Sequence, residues 1–340
     1  MPAPADVSAV VVALRRSARL TACLEALTAT CPGVEVLCVV AEGERAPDDH
    51  PGVRFLHPGM NLGWAGGVHH ARRRIGRPLM WLIQDDMTVL PGCLEALLAR
   101  LAQRPELVAV RPVVVDRDGV VPLGQCGMAV DGDGAPHSPV PPVPTPPADL
   151  VLPDRPDYLP SSGLLIRLEA WDAVGGMNPW LYPVGLADVD LGQALRARGA
   201  DFALVHEARV RHPAHRSTPS VLGGFCVARN AMILRAAWFP HALPPAGERR
   251  GLISDQVLDA AVARRRSAEP LDDEDLRTIA GAAAADALVR LSGHAERELA
   301  GLRDAYEATR DARDWWREQH AAADRAWREA SGRGESTQGS

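Results

Sequence analysis

The chain of 340 residues has no lysine; all 37 of its basic side chains are arginine. Against 43 Asp and Glu this leaves a formal charge of −6, which excludes the basic footprint a polyanion would need. Nucleic acid is therefore not an expected partner. The six cysteines (Cys23, Cys31, Cys38, Cys93, Cys126 and Cys226) include no Cys-x-x-Cys pair. That excludes the usual zinc cage and reads as small buried hydrophobes in a reducing compartment. No run approaches the roughly 18 apolar residues of a membrane span. The start, MPAPADVSAVVVAL, lacks the basic region and the long apolar stretch of a signal peptide. The expected address is cytoplasmic, with a peripheral place at the inner face of the cell membrane as the alternative.

What is present is an ordinary globular composition, 46% apolar, long enough for one large domain or two smaller ones. VSAVVVAL (7–14) is a continuous apolar run, as a strand buried on both faces requires. A helix follows with Leu20, Leu24 and Leu27 at helical spacing behind a Ser17 cap. VEVLCVV and VRFLH read as two further strands, WAGGVHHARRRI as a helix behind a glycine turn, and LMWLI as a fourth strand. PGCLEALLARLAQ reads as a helix with proline in its first turn. Strands and helices in this alternation predict an α/β fold with a mostly parallel sheet. After LVAVRPVVVD and QCGMAV, both strand-like, a Pro-rich loop is expected over 131–160. SSGLLIRLEAWDAVGGM, DVDLGQALRARG and DFALVHEARVRH resume as strand with short helix, helix, and strand. From about Ala246 the pattern is helical, and 331–340 is a polar tail.

One stretch asks for chemistry. In LMWLIQDDMTVLPGCLEALL a buried strand ends on two adjacent carboxylates, Asp85 and Asp86. Like charges so close raise each other's pKa. Either the pair is a solvated turn, or a cation shares it. Ligands of such sheets bind beyond the carboxyl ends of the strands, where these two residues lie.

Four stretches in order resemble glycosyltransferase family 2, the inverting nucleotide-sugar enzymes of the GT-A fold. MNLGWAGGVHHA resembles the family's glycine turn beside the nucleotide diphosphate. Gly63, Gly66 and Gly67 would permit close backbone approach, and the helix start would offer N–H groups to phosphate. QDDMTVLPG resembles the Asp-x-Asp segment, with Gln84 in its first position. The resemblance implies that Asp86 is a ligand of Mg²⁺ or Mn²⁺ and that Asp85 stands beside the donor; hard oxygen ligands suit those ions. SSGLLIRLEAWDAVGGMNPWLYPVGLADVDL resembles the segment that ends on Glu-Asp-x-Asp-Leu, with Ala187 where the family has Glu. By that resemblance Asp188 is the base that deprotonates the acceptor. Otherwise Asp188 and Asp190 merely favour the positive end of a helix. VRHPAHRSTPS supplies His212, matching a histidine that completes the metal shell, with His215 as the alternative. In VARNAMILRAAWFP, Arg229 either faces the diphosphate or caps the fold.

The resemblance covers about residues 7–240. It departs from the family at Ala13-Leu14-Arg15-Arg16 and at Ala41-Glu42-Gly43-Glu44, where a base-binding Asp is usual and Glu42 would substitute. It implies a GT-A domain over 1–245 with a helical C-terminal region over 246–330. The implied reaction is metal-dependent, inverting transfer of a hexosyl or deoxyhexosyl group from a nucleotide-diphosphate sugar. The acceptor would be a hydroxyl on a glycan, a lipid-linked or a small molecule. A binding module without activity and a nucleotidyltransferase of the same fold are the rivals. Without the Glu at Ala187, Asp188 is expected to titrate near an ordinary aspartate unless burial intervenes. Trp180 and Tyr182 stand either against an acceptor sugar or in the core. The segment 295–330 has seven Arg against nine acids, so it is expected to pack on the core or pair with a second copy rather than bind anionic lipid.

Overall fold

The computed structural model describes residues 2–42, 50–116, 119, 121, 128–137, 155–212 and 220–298. Expectations about Gly43, Glu44, Cys126, His215, most of the Pro-rich loop, the segment beyond 298 and the tail therefore lie outside the described residues.

In the first half, β1 (Val7–Arg15), α1 (Ala18–Thr30), β2 (Glu35–Glu42), β3 (Val53–Leu56), α2 (Gly63–Arg72) and β4 (Leu79–Gln84) follow the expected alternation. Ser17 caps α1 by accepting the Leu20 N–H at 3.1 Å. Next come β5 (Thr88–Val89), α3 (Cys93–Gln103), β6 (Leu107–Val115), β7 (Ala129–Val130) and β8 (Pro136–His137). Pro91 is not in the first turn of α3. Gly92, at φ +80°, forms the cap, and proline lies just outside it. The chain continues through β9 (Leu165–Arg167), α4 (Leu168–Ala173), α5 (Ala187–Ala197) and β10 (Asp201–Arg211). It then turns helical in α6 (Ser220–Trp238), α7 (Ala246–Arg249), α8 (Asp255–Arg266) and α9 (Asp273–Glu298).

The main sheet has eight strands in the order β3-β2-β1-β4-β9-β6-β10-β5. Only β9, lying between β4 and β6, and β5, at the edge beside β10, run antiparallel to their neighbours. The central strands are buried on both faces, which accounts for their unbroken apolar runs. One face carries α1 and α3 over Ala9, Val11, Cys38 and Trp81, so the cysteines are core residues; five described ones are free and buried. The opposite face is covered by α2, α5 and α8.

The helical C-terminal part packs on this body. Leu276, Ala280, Ala283 and Ala287 of α9 meet Leu62, Tyr182, Phe225 and Cys226. Small residues let α9 approach closely, and its apolar stripe is used within the chain rather than offered to a second copy. The expected pairing of copies rests on residues beyond 298. Among the described residues no helix is long and apolar enough to cross a membrane.

Tight packing continues into α5. A Cβ on Gly192 would stand 2.7 Å from Tyr158 Cα and 3.0 Å from the Asp157 carbonyl oxygen. Neither backbone atom can swing aside. Gly192→Ala is expected to destabilise the protein by about 1–3 kcal/mol or more, read as a lower urea midpoint with an unchanged slope. An unchanged midpoint would mean that α5 is loosely seated.

Candidate active site

A cavity of about 790 Å³ opens at the carboxyl ends of β1, β2 and β4, a volume suited to a small-molecule ligand. Its lining is apolar at Val12, Leu14, Val39, Ala41 and Pro58, and it also carries Asp85, Asp86, His212 and Asp188. Residues from four of the quoted stretches thus meet in one space.

β4 delivers the carboxylates. Its last residue, Gln84, pairs with Val12 of β1, and the chain turns as Met87 N–H donates to the Gln84 carbonyl at 3.1 Å. Burial, and then the neighbouring Asp86, push the Asp85 carboxyl up to about 6. The like-charge conflict read from sequence is therefore present. β10 delivers His212, whose Nε2 lies 3.0 Å from Asp86 Oδ1. The two residues are 126 positions apart in sequence, and both are largely buried.

These donors can be tested against a divalent cation. Gln84 Oε1 and His212 Nδ1 are buried with no hydrogen-bond partner among the described residues. The set is therefore rich in electron pairs. Yet no three metal-ligating side chains among the described residues are placed to cage an ion alone. Such a set fits a cation held by one or two protein ligands and completed by diphosphate oxygens and water, which is how Mg²⁺ is commonly bound.

Asp188 stands in the first turn of α5, at the cavity wall. Its Oδ2 accepts the Ser161 N–H at 3.1 Å and its Oδ1 accepts the Val189 N–H at 3.0 Å. Burial raises its pKa above the usual aspartate range, while these N–H groups and the Arg111 charge pull the other way. Burial has intervened, which is the exception under which Asp188 departs from the ordinary titration expected from Ala187. The turn before α5 is strained: Leu186 has φ +64°, the only positive value at a non-glycine among the described residues. Such a conformation costs about 1–3 kcal/mol. Asn230 of α6 holds it by donating to the Val184 and Gly185 carbonyls at 3.1 and 3.0 Å.

The glycine turn differs from expectation in detail. Asn61 and Gly63 line the cavity, but the Gly63 N–H is taken by Asn61 Oδ1 at 2.8 Å and the Trp64 N–H by the Pro183 carbonyl at 2.7 Å. These two groups are not open to phosphate. Gly66 does not line the cavity; it packs on Leu62, and Gly67 makes the close approach, against Val12. Glu42 ends β2 beside Arg15.

Arg229 is the clearest displacement. It is fully buried, absent from the cavity wall, and donates to the Trp180 carbonyl at 3.1 Å and to Asn230 Oδ1 at 2.9 Å. The fold-capping alternative is the one its contacts describe, because the α6 face that meets the cavity carries Gly224, Val227 and Ala228 instead. Tyr182 is likewise core, 1% exposed, with its hydroxyl on the Asn61 carbonyl at 3.2 Å. Trp180 packs half-buried against the same core, so neither aromatic faces the cavity.

Asp190 does more than favour a helix end. It is 1% exposed and accepts Arg265 Nε and Nη2 at 3.1 and 2.5 Å and Trp238 Nε1 at 2.9 Å. Arg265 also donates to the Val174 and Gly176 carbonyls, both at 2.8 Å. Sequence reasoning missed Arg265, Asn230 and Ser161, since each acts on a partner far away in sequence that no local pattern announces.

Comparison with known proteins follows the same outline. The model of the family described as Glycosyl transferase family 2 matches residues 8–125. Two curated relatives, from the CDC 1551 / Oshkosh and H37Rv strains of Mycobacterium tuberculosis, are N-acetylglucosaminyl-diphospho-decaprenol L-rhamnosyltransferases. Each is 30% identical over 195 residues, which is 52% of this chain and 63% of the relative. The match thus spans less than two thirds of the relatives' length. Among solved structures, GalNAc-T7 with UDP, GalNAc and Mn²⁺ superposes with a TM-score of 0.57 at 12% identity, covering 77% of this chain and 54% of that one. That likeness concerns the fold.

Proposed function

We propose, from the match of residues 8–125 to the glycosyltransferase family 2 model and from the GT-A fold, that the chain is a member of that family and transfers a sugar from a nucleotide-diphosphate donor to an acceptor hydroxyl, with inversion and with a divalent cation. The observation that carries this reading is that Asp188 and the Asp86–His212 pair face one cavity. The apolar lining at Val12, Leu14, Val39 and Ala41 would take the nucleobase.

Asp188 takes the proton of the acceptor hydroxyl as that oxygen attacks the anomeric carbon from the face opposite the diphosphate. Its carboxylate has lone pairs left beyond those used by the Ser161 and Val189 N–H groups. Those two bonds fix its direction. Asp86 and His212 would hold Mg²⁺ or Mn²⁺, which when bound supplies charge stabilisation to the leaving diphosphate. Asn61 keeps the glycine turn in shape beside the donor. The relatives' name states a lipid-linked acceptor. An acceptor of that class suits this rim, where Val184 and Val227 stay exposed beside Leu186.

A panel of nucleoside diphosphate sugars, each with and without Mn²⁺, tests the reading by thermal shift. A donor at about one hundred times its Kd adds roughly 2.7 kcal/mol of stability. The Asp86→Ala variant is expected to fold and to lose the Mn²⁺-dependent part of that gain, whereas Asp85→Ala keeps most of it. Equal donor affinity in wild type and Asp86→Ala with Mn²⁺ present would remove Asp86 from the metal site.

A further inference from the structure

We propose that Arg111 is the positioning residue that keeps Asp188 ready to accept a proton. The catalytic consequence rests on the transferase reading above; the link from Arg111 to Asp188 through Ser161 and Ser162 does not.

β6 is apolar along its length except at this one position, LVAVRPVVV, and the Arg111 side chain is fully buried. Alternate residues of the strand, Ala109, Val113 and Val115, pack in one cluster with Ala187 and Leu191 of α5. A cation in such surroundings is strongly unfavourable unless acceptors and an opposite charge meet it. Arg111 Nε donates to the Ser162 carbonyl at 3.1 Å, and the preceding residue, Ser161, gives its N–H to Asp188 Oδ2 at 3.1 Å. The guanidinium therefore holds one side of the two-residue segment whose other side holds the carboxylate. Its charge also acts directly on Asp188 and on the Tyr158 phenol.

Several titratable or charged groups stand around Asp188. Arg111 comes from β6, and Tyr158 from the chain before β9. Asp190 lies on the same helix, bound by Arg265 of α8. Asp85, Asp86 and His212 line the same cavity. Of the charges that act on Asp188, that of Arg111 favours the carboxylate. Burial works against ionisation there, and the Ser161 and Val189 N–H groups oppose that effect first; Arg111 supports the carboxylate both by holding the Ser161–Ser162 segment and by adding its charge.

The test compares Arg111→Gln with Arg111→Lys in the full chain. Both lose the guanidinium fork, and only lysine keeps the charge. The readout is the carboxyl ¹³C resonance of Asp188, assigned by its loss in Asp188→Asn and titrated with pH. Arg111→Gln is expected to raise the Asp188 midpoint above that of wild type, while Arg111→Lys stays near wild type. With a donor identified, the acid limb of kcat/KM should move with the resonance, leaving the alkaline plateau in place. Equal midpoints in the two folded variants would overturn the proposal. So would failure of both to fold, since the guanidinium would then be a prop of the core rather than a tuner of the base. A shifted midpoint without transferase activity in any variant or in wild type would retain the influence of Arg111 on Asp188 and reject the transferase reading.

Discussion

Asp188→Asn is expected to lower kcat by about 10²–10⁴, the usual contribution of a general base, while Mn²⁺-dependent donor binding stays near wild type. Asparagine keeps the shape and one acceptor oxygen, so the Ser161 or Val189 contact can persist. What it loses is the ability to take a proton. Burial raises the Asp188 pKa, which fixes two signs. Turnover fails on the acid side at a higher pH than an ordinary aspartate would dictate, because the protonated carboxyl is no base. Stability goes the other way: keeping the group ionised burdens the folded state at neutral pH. That burden is relieved as pH falls through the folded pKa, and is gone below the unfolded one. The asparagine variant, free of that burden, is therefore expected to unfold at a denaturant concentration no lower than wild type. Single-turnover rates, donor titrations and urea unfolding separate these effects. Retained turnover would reassign the base.

The second large effect concerns stability. Arg265→Met would leave the Asp190 carboxylate, 1% exposed, with Trp238 Nε1 as its remaining side-chain donor. Breaking a buried pair in this way costs about 3–5 kcal/mol, mostly from the stranded charge. Asp190→Asn is expected to be costly as well, since Asp190 does more than favour a helix end, the alternative weighed from the sequence. The double variant Asp190→Leu/Arg265→Met should recover much of the loss, because apolar replacement of a whole buried pair is often neutral. Urea unfolding of wild type, Asp190→Leu, Arg265→Met and the double variant gives the coupling energy. If the two single losses simply add in the double variant, the pair is not coupled, whatever its geometry.

Much of this was readable from local pattern. Continuous apolar runs marked strands buried on both faces, and the ends of those strands located Asp85 and Asp86. Order along the chain, matched to a family, brought in Asp188 and His212, and the latter does lie against Asp86. What stayed hidden is pairing over long separations. Nothing near Asp190 announces an arginine 75 positions later, and nothing near Arg229 says that it turns inward to the Trp180 carbonyl. Tyr182 and Trp180 looked equally fit for sugar or core, because an aromatic in a turn has the same local pattern in either role. Arg111 did leave a trace, one charge inside an apolar strand. Such a residue asks what it neutralises, and only the packing of α5 supplies the answer.

The glycine turn and the turn before α5 are sewn together: Trp64 N–H to Pro183, Tyr182 hydroxyl to Asn61, and Gly63 so close that a Cβ would stand 2.8 Å from the Pro183 carbonyl oxygen. A ligand that stiffens one of them stiffens the other. By thermodynamic reciprocity, whatever occupancy on the donor side does for affinity on the acceptor side, acceptor occupancy returns in equal measure. On the transferase reading the two turns would then couple the substrates through the backbone rather than through either substrate's own contacts.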